Sequence, residues 1–243
     1  MMNTYGLIGY PLTHSFSKPY FTEKFLKEGL VNCVYENYAI ATIQEIESLF
    51  PIDNLKGLNV TIPYKEAVIP FLDGLSSAAK SIGAVNTIKN ENGKWIGYNT
   101  DHFGFQESWE SLLKPHHHSA LVLGTGGAAK AVWYVLQQLN MPFHKVSRQS
   151  GKDMVSYDEL TRDIMENHTV IINTTPLGMY PNIDDCPPIP YEYIGEKHYL
   201  YDLVYNPAKT LFLQNGEKNG ATIKAGMDML HLQADKAWEI WNS

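Results

Sequence analysis

Residues 121–132 read LVLGTGGAAKAV, and the fold turns on how that stretch is read. Ala120, Leu121, Val122 and Leu123 form an apolar run short enough to be one buried strand, and it breaks at Gly124-Thr125-Gly126-Gly127-Ala128-Ala129. Directly afterwards Ala128, Ala131, Val132, Val135, Leu136 and Leu139 recur at spacings of three and four, the period of a helix with one buried face. Strand, glycine-rich turn and helix in that order suit a dinucleotide pyrophosphate. Glycines let the backbone approach closely, and the helix N-terminus offers unpaired N–H groups at the positive end of its dipole. Gly124, Gly126 and Ala129 fill the G-x-G-x-x-G/A positions. The same letters also fit a tight strand-to-helix turn that binds nothing, so the flanking sequence has to decide.

Downstream the pattern repeats. Apolar runs at 121–123, 143–146, 169–172, 199–203 and 222–225 alternate with helical stretches, which predicts a Rossmann-type unit of five strands, one fewer than the six-stranded form. Upstream, residues 4–9 predict a strand ended by Gly9-Tyr10-Pro11. Ser17 and Pro19 then open a helix towards Gly29, with Tyr20, Phe21, Phe25 and Leu26 as its apolar face. Strands follow at 34–40 and 57–62, with Thr42 capping a helix to Phe50 between them, and Asn92-Gly93 marks a hairpin joining 84–89 to 95–98. A helix over 100–113 leads into Lys114-Pro115-His116-His117-His118-Ser119, read as a solvated linker; three adjacent histidines cannot all face one ion, so no metal site is expected. Residues 229–241 close the chain as a helix with Leu230, Ala234, either Ala237 or Trp238, and Trp241 on one side. The expected fold is α/β: a mostly parallel N-terminal substrate domain over 1–100, joined by the terminal helix 227–243, a Rossmann-type domain over 101–226, and a cleft between them.

Composition narrows the partners. A chain of 243 residues, 44% hydrophobic and 19% charged, has ample material for a core, and its net charge of −7 disfavours a nucleic-acid binder. Two cysteines, Cys33 and Cys186, make no disulfide framework. No run approaches the ~20 apolar residues of a membrane span, and MMNTYGLIGYPL lacks the features of a signal peptide, so a cytoplasmic protein is expected.

An NAD-binding unit usually places Asp or Glu about 20 residues past the glycines to hold the adenine ribose. Between Met141 and Lys152 there is no carboxylate; the strand ends in Ser147-Arg148-Gln149-Ser150-Gly151-Lys152. A hydroxyl and two cations suit a 2′-phosphate, and the guanidinium of Arg148 can both fork onto it and stack on adenine, which favours NADP.

Three strand ends in the first half carry polar clusters that a core would not want. Ser15 and Ser17 precede a helix, and although Ser17 could be only an N-cap, Ser15 is not explained that way. Asn59 and Thr61 share one side of a strand, with Lys65 just beyond, and Asn86-Thr87 and Asn99-Thr100-Asp101 close two short strands. Ligands gather beyond the carboxyl ends of strands in such sheets, so Lys65, Asn86 and Asp101 could converge as an acid/base site beside a hydride carrier.

Together these stretches resemble the shikimate dehydrogenase family. The resemblance runs through GYPLTHSFS at 9–17, NVTIPYK at 59–65, GAVNT at 83–87, NTD at 99–101, GTGGAAKA at 124–131, NTTPLGM at 173–179, DLVYNP at 202–207 and GMDMLHLQA at 226–234. It implies reversible reduction of 3-dehydroshikimate to shikimate with NADP as cofactor, by a monomer or homodimer. It further implies that Ser15 and Ser17 hold the substrate carboxylate and Thr61, Asn86 and Gln233 its hydroxyls, with Tyr205 in the same pocket. Lys65 and Asp101 would be the catalytic pair. Gly124, Thr125, Gly126, Gly127 and Ala128 would hold the pyrophosphate, Ser147, Arg148 and Lys152 the adenine-side phosphate, and Leu203 and Gly226 would neighbour the nicotinamide. The chain departs from the family pattern at Lys18, which precedes Pro19 where proline usually follows the serine, at Ser147 and Gln149 flanking Arg148, and at Ala234 after the glutamine. Two rival readings are a quinate/shikimate dehydrogenase of broader range and a non-catalytic NADP(H)-binding regulator, and the presence of both Lys65 and Asp101 weighs against the second.

Overall fold

In a computed structural model, which describes residues 1–12 and 15–243, the chain divides into two units, 1–100 with 234–243, and 101–233. The Thr13-His14 part of the GYPLTHSFS motif lies outside the described residues.

The first unit is built on six strands: β1 Asn3–Gly9, β2 Cys33–Ala39, β3 Leu55–Val60, β4 Gly74–Leu75, β5 Thr87–Glu91 and β6 Lys94–Tyr98. They form one mixed sheet ordered β2-β1-β3-β5-β6-β4. β1, β2 and β3 run parallel, while β5 lies antiparallel to β3 and to β6. Asn92 and Gly93, between β5 and β6, both adopt positive φ, 56° and 87°, as a tight two-residue hairpin turn requires. Helix α1, Ser17–Lys27, buries Phe21 and Phe25. Leu26, expected on that face, is 82% exposed, because it lies one residue beyond Phe25 and so points away from the buried stripe. The segment after Thr42 is a 3₁₀ turn, Ile43–Ser48, held by a capping box in which the Thr42 N–H donates to Glu45 Oε1 at 2.9 Å. A short helix α2, Ser77–Ile82, begins at Ser76, whose hydroxyl accepts from the Ala79 N–H. An aromatic cluster of Tyr5, Phe21, Phe25, Tyr35 and Trp241 packs one face, and the Trp241 indole N–H donates to the Ile88 carbonyl at 2.9 Å.

The strands of the second unit are β7 Ala120–Leu123, β8 Phe143–Ser147, β9 Met154–Ser156, β10 Val170–Asn173, β11 Tyr199–Asp202 and β12 Thr222–Ala225. They make a fully parallel sheet ordered β12-β11-β10-β7-β8-β9. This is the doubly wound arrangement, with the strand order reversing between β7 and β10. The expectation of five strands is corrected: there is a sixth, β9, whose three residues are too few to show a period. Helices α3 (Asp101–Trp109), α4 (Gly127–Gln138), α5 (Arg162–Asn167) and α6 (Leu211–Lys218) belong to this unit. Helix α7, Met227–Asn242, contributes residues up to Gln233 to the second unit and residues from Ala234 to the first.

The histidine run is exposed at His116 and His118, as its polarity predicts, but not at its centre. His117 is buried, accepts from the Lys114 N–H at Nδ1 (3.0 Å), and lies 3.1 Å from the Lys197 carbonyl at Nε2. Among the described residues no cluster could hold a metal ion, and no helix is long and apolar enough to cross a membrane.

Candidate functional site

Strand directions gather the polar residues of the first unit. β1, β2 and β3 end on one edge of the sheet; β5, antiparallel, begins there, since Asn59 pairs with Thr87, and β6 ends there, since Tyr98 pairs with Thr87. The segments at that edge carry Ser15, Thr61, Lys65 and Asn86. Thr61 follows β3 directly and donates its N–H to the Ile8 carbonyl at 2.9 Å. Lys65 sits in the next turn, where its carbonyl accepts from the Val85 N–H at 2.7 Å and so ties the 61–65 and 83–87 motifs together. Asn86 is buried; its Nδ2 donates to Thr100 Oγ1 at 2.9 Å and its Oδ1 accepts from the Thr100 N–H at 2.6 Å. Asn59 works alongside, donating to the Asn86 carbonyl and accepting from the Tyr35 hydroxyl at 2.7 Å.

The two serines differ in setting. Ser17 is not the helix cap: the cap position is Phe16, without a side-chain bond, and Ser17 lies near Tyr35, whose phenol is driven well above its usual range by burial. Ser15 lines a cavity of about 520 Å³ with Lys18, Thr22 and Asn37, and its hydroxyl oxygen is buried with no partner among the described residues.

In the second unit the carboxyl ends of β7, β8, β10, β11 and β12 present residues 124–128, 147–152, 173–178, 203–205 and 226. Gly124 has φ +107°, and a Cβ there would meet Thr174 Oγ1 at 2.6 Å, so both backbone sign and space demand glycine. Gly126 caps α4 with no side-chain bond, no acid stands in the first turn, and a Cβ at Gly126 would meet only open space. That combination of open floor, uncapped N–H groups and a positive dipole end fits a dinucleotide pyrophosphate. Ser147 closes β8, and Arg148 and Lys152 are exposed beyond it; Arg148 stands close enough to Tyr157 to pull that phenol down against the larger upward push of burial. Leu203 and Gly226 are brought into contact, since a Cβ on Gly226 would strike the Leu203 carbonyl. Tyr205, partly buried, has its phenol pushed up by desolvation. Asp101 is buried at the start of α3, and Gln233 donates to the Leu230 carbonyl at 2.9 Å. Gly104 lets α3 and α7 approach, because a Cβ there would meet the Met229 carbonyl at 2.6 Å and Gln233 Cβ at 3.0 Å.

One buried group was not singled out from the sequence. Asp202, closing β11, accepts from Asn173 Nδ2 (2.9 Å), the Val204 N–H (3.0 Å) and Thr210 Oγ1 (2.5 Å), and burial pushes its carboxyl up to about 6. The available signal was a carboxylate ending the apolar run YLYD, followed by a threonine that caps the next helix.

Residues 7–88 match the family described as the shikimate dehydrogenase substrate-binding domain. A curated NADP(+) shikimate dehydrogenase from Clostridium beijerinckii is 39% identical over 252 residues, covering 99% of this chain and 92% of that one. The solved shikimate dehydrogenase of Aquifex aeolicus superposes with a TM-score of 0.85 at 35% identity, covering 99% of this chain and 92% of that one. The shikimate 5-dehydrogenase of Thermus thermophilus, solved in complex with NADP(H) and shikimate, gives 0.86 at 28%, covering 99% and 93%. Identity of this level sustained over nearly the whole chain, on the same fold, means that the protein belongs to the shikimate dehydrogenase family.

Proposed function

We propose that the protein catalyses the reversible, NADPH-dependent reduction of 3-dehydroshikimate to shikimate, on the route to chorismate and the aromatic amino acids. The observation that carries this reading is the gathering of hydroxyl, amide and ammonium groups at one edge of the first sheet, the chemistry a small polyhydroxylated acid requires. Ser15 and Ser17 grip the carboxylate; the buried Ser15 oxygen, with no partner among the described residues, is supplied with one by this ligand. Thr61, Asn86 and Gln233 hold the ring hydroxyls and Tyr205 lines the same pocket.

Residues 124–128 hold the pyrophosphate of NADP, Leu203 and Gly226 flank its nicotinamide, and Ser147, Arg148 and Lys152 receive the 2′-phosphate. When bound, the cofactor supplies the hydride that carbonyl reduction needs. Lys65 directs its ammonium at the carbonyl oxygen and stabilises the negative charge that develops there, while Asp101 orients the lysine and the neighbouring hydroxyl; the proton reaches the oxygen through this pair. The protein works in the cytoplasm as a monomer or homodimer, the first unit serving the substrate and the second the cofactor. Incubation of the purified protein with 3-dehydroshikimate and NADPH, with the product identified by chromatography against authentic shikimate, tests the reading: shikimate formed in step with NADPH consumed supports it, and cofactor left unconsumed contradicts it.

A further inference from the structure

We propose that Asp202 is a positioning residue for the nicotinamide side of the cofactor site, acting through the backbone of residues 203–205; this rests on the reading of the second unit as the NADP site. Asp202 is fully buried, and its three donors come from three segments: Asn173 at the end of β10, Val204 in its own loop, and Thr210 at the cap of α6. Asn173 in turn accepts from the Thr175 N–H (3.0 Å) and hydroxyl (2.6 Å), and the neighbouring Thr174 hydroxyl donates to the Leu123 carbonyl at 2.6 Å. The chain of bonds therefore runs across the ends of β7, β10 and β11, the strands on either side of the reversal in strand order. Main-chain bonds continue it: the Leu203 N–H donates to the Asn173 carbonyl at 2.9 Å and the Gly226 N–H to the Val204 carbonyl at 3.3 Å. Leu203 and Gly226 are thus set by a polar frame whose hub is one carboxylate. A carboxylate left uncompensated at full burial would be costly, and three donors are what holds it there. Removing the hub orphans an amide, a hydroxyl and a backbone N–H together and frees the loop that cofactor binding must then order.

The test is NADPH affinity, read by titrating the cofactor's fluorescence, alongside the KM for shikimate. Asp202→Ala is expected to weaken NADPH binding about tenfold, equivalent to ~1.4 kcal/mol, with a smaller change in the KM for shikimate. Asp202→Asn keeps an acceptor for Asn173 and Val204 and is expected to restore affinity to within about threefold of the wild type. Should the alanine variant fail to fold, Thr210→Val removes the hydroxyl that donates to Asp202, together with its cap bond to the Leu213 N–H, and is expected to weaken binding about threefold. Wild-type affinity in a folded alanine or valine variant, or an equal loss in the asparagine and alanine variants, overturns the proposal. A wild-type protein that binds NADPH but does not turn over shikimate would contradict the assigned reaction while leaving this test intact.

Discussion

In the proposed reaction, Lys65 and Asp101 are the residues on which the chemistry depends. If the Lys65 ammonium acts only as charge develops on the carbonyl oxygen, Lys65→Ala lowers kcat by about 10² to 10⁴ and leaves the KM for shikimate nearly unchanged. Asp101→Asn also lowers kcat, and the double variant loses far less than the product of the single losses. A Lys65→Ala enzyme with unchanged kcat and raised KM would make Lys65 a binding residue. The serines are separable in the same way. Ser15→Ala should raise the KM for shikimate without lowering the thermal midpoint, since that hydroxyl bonds nothing else among the described residues. Ser17→Ala should raise KM too, by removing the second contact to a carboxylate that does not react. If Ser17→Ala lowered the midpoint alone, its role would be structural. The hydroxyls were visible in the sequence; their different settings were not, because Tyr35, near Ser17, stands on a strand well beyond it in the chain.

Among the elements, α7 and β3 depend on one glycine. Gly57 lies under the Trp241 indole, so closely that an added Cβ would overlap it. Gly57→Ala should therefore destabilise the protein by about 1–3 kcal/mol, the usual cost of overpacking; an unchanged midpoint in urea unfolding would contradict this contact. Elements with strong local chemistry were legible before the fold: the Gly124–Gly126 turn, the Asn92-Gly93 hairpin and the cap at Thr42 all specify backbone conformation through a few adjacent residues. Those lacking such chemistry were not. β4 and β9, of two and three residues, owe their existence to the strands beside them. His117 read as polar loop because its partners, the N–H of Lys114 and the carbonyl of Lys197, are backbone groups that composition cannot reveal. Asp202 was missed for a related reason, since two of its three donors come from other segments.

For the molecule as a whole, buried titratable groups of the second unit couple stability to pH on the acid side. Burial lowers His117 and His168 from their ordinary 6.5, and the neighbouring histidines, His116 beside the first and His144 and His118 beside the second, lower them further. A depressed histidine binds fewer protons folded than unfolded, so its contribution is complete above about pH 6.5 and is lost as pH falls below it. Asp202 works in the opposite sense: raised from 3.8 to about 6, it gains stability as pH falls through that window. Two histidines against one carboxylate leave a net loss of stability on the acid side from these groups. Urea unfolding followed from pH ~7.5 to ~5.5 checks the sign; stability that rose on acidification would refute it.

The most direct test of the central claim is nicotinamide absorbance measured on the wild-type protein with shikimate and quinate, each crossed with NADP and NAD. Arg148 and Lys152 follow β8, and the sequence from Met141 to Lys152 holds no carboxylate of the kind that binds an unphosphorylated ribose. The expected result is therefore rapid reduction of NADP with shikimate, with kcat/KM about tenfold to a hundredfold lower when NAD replaces NADP, the worth of a lost charge-assisted phosphate contact, and weaker turnover of quinate. Absence of turnover in all four combinations, with NADP bound, would contradict the account and leave a cofactor-binding protein without this chemistry.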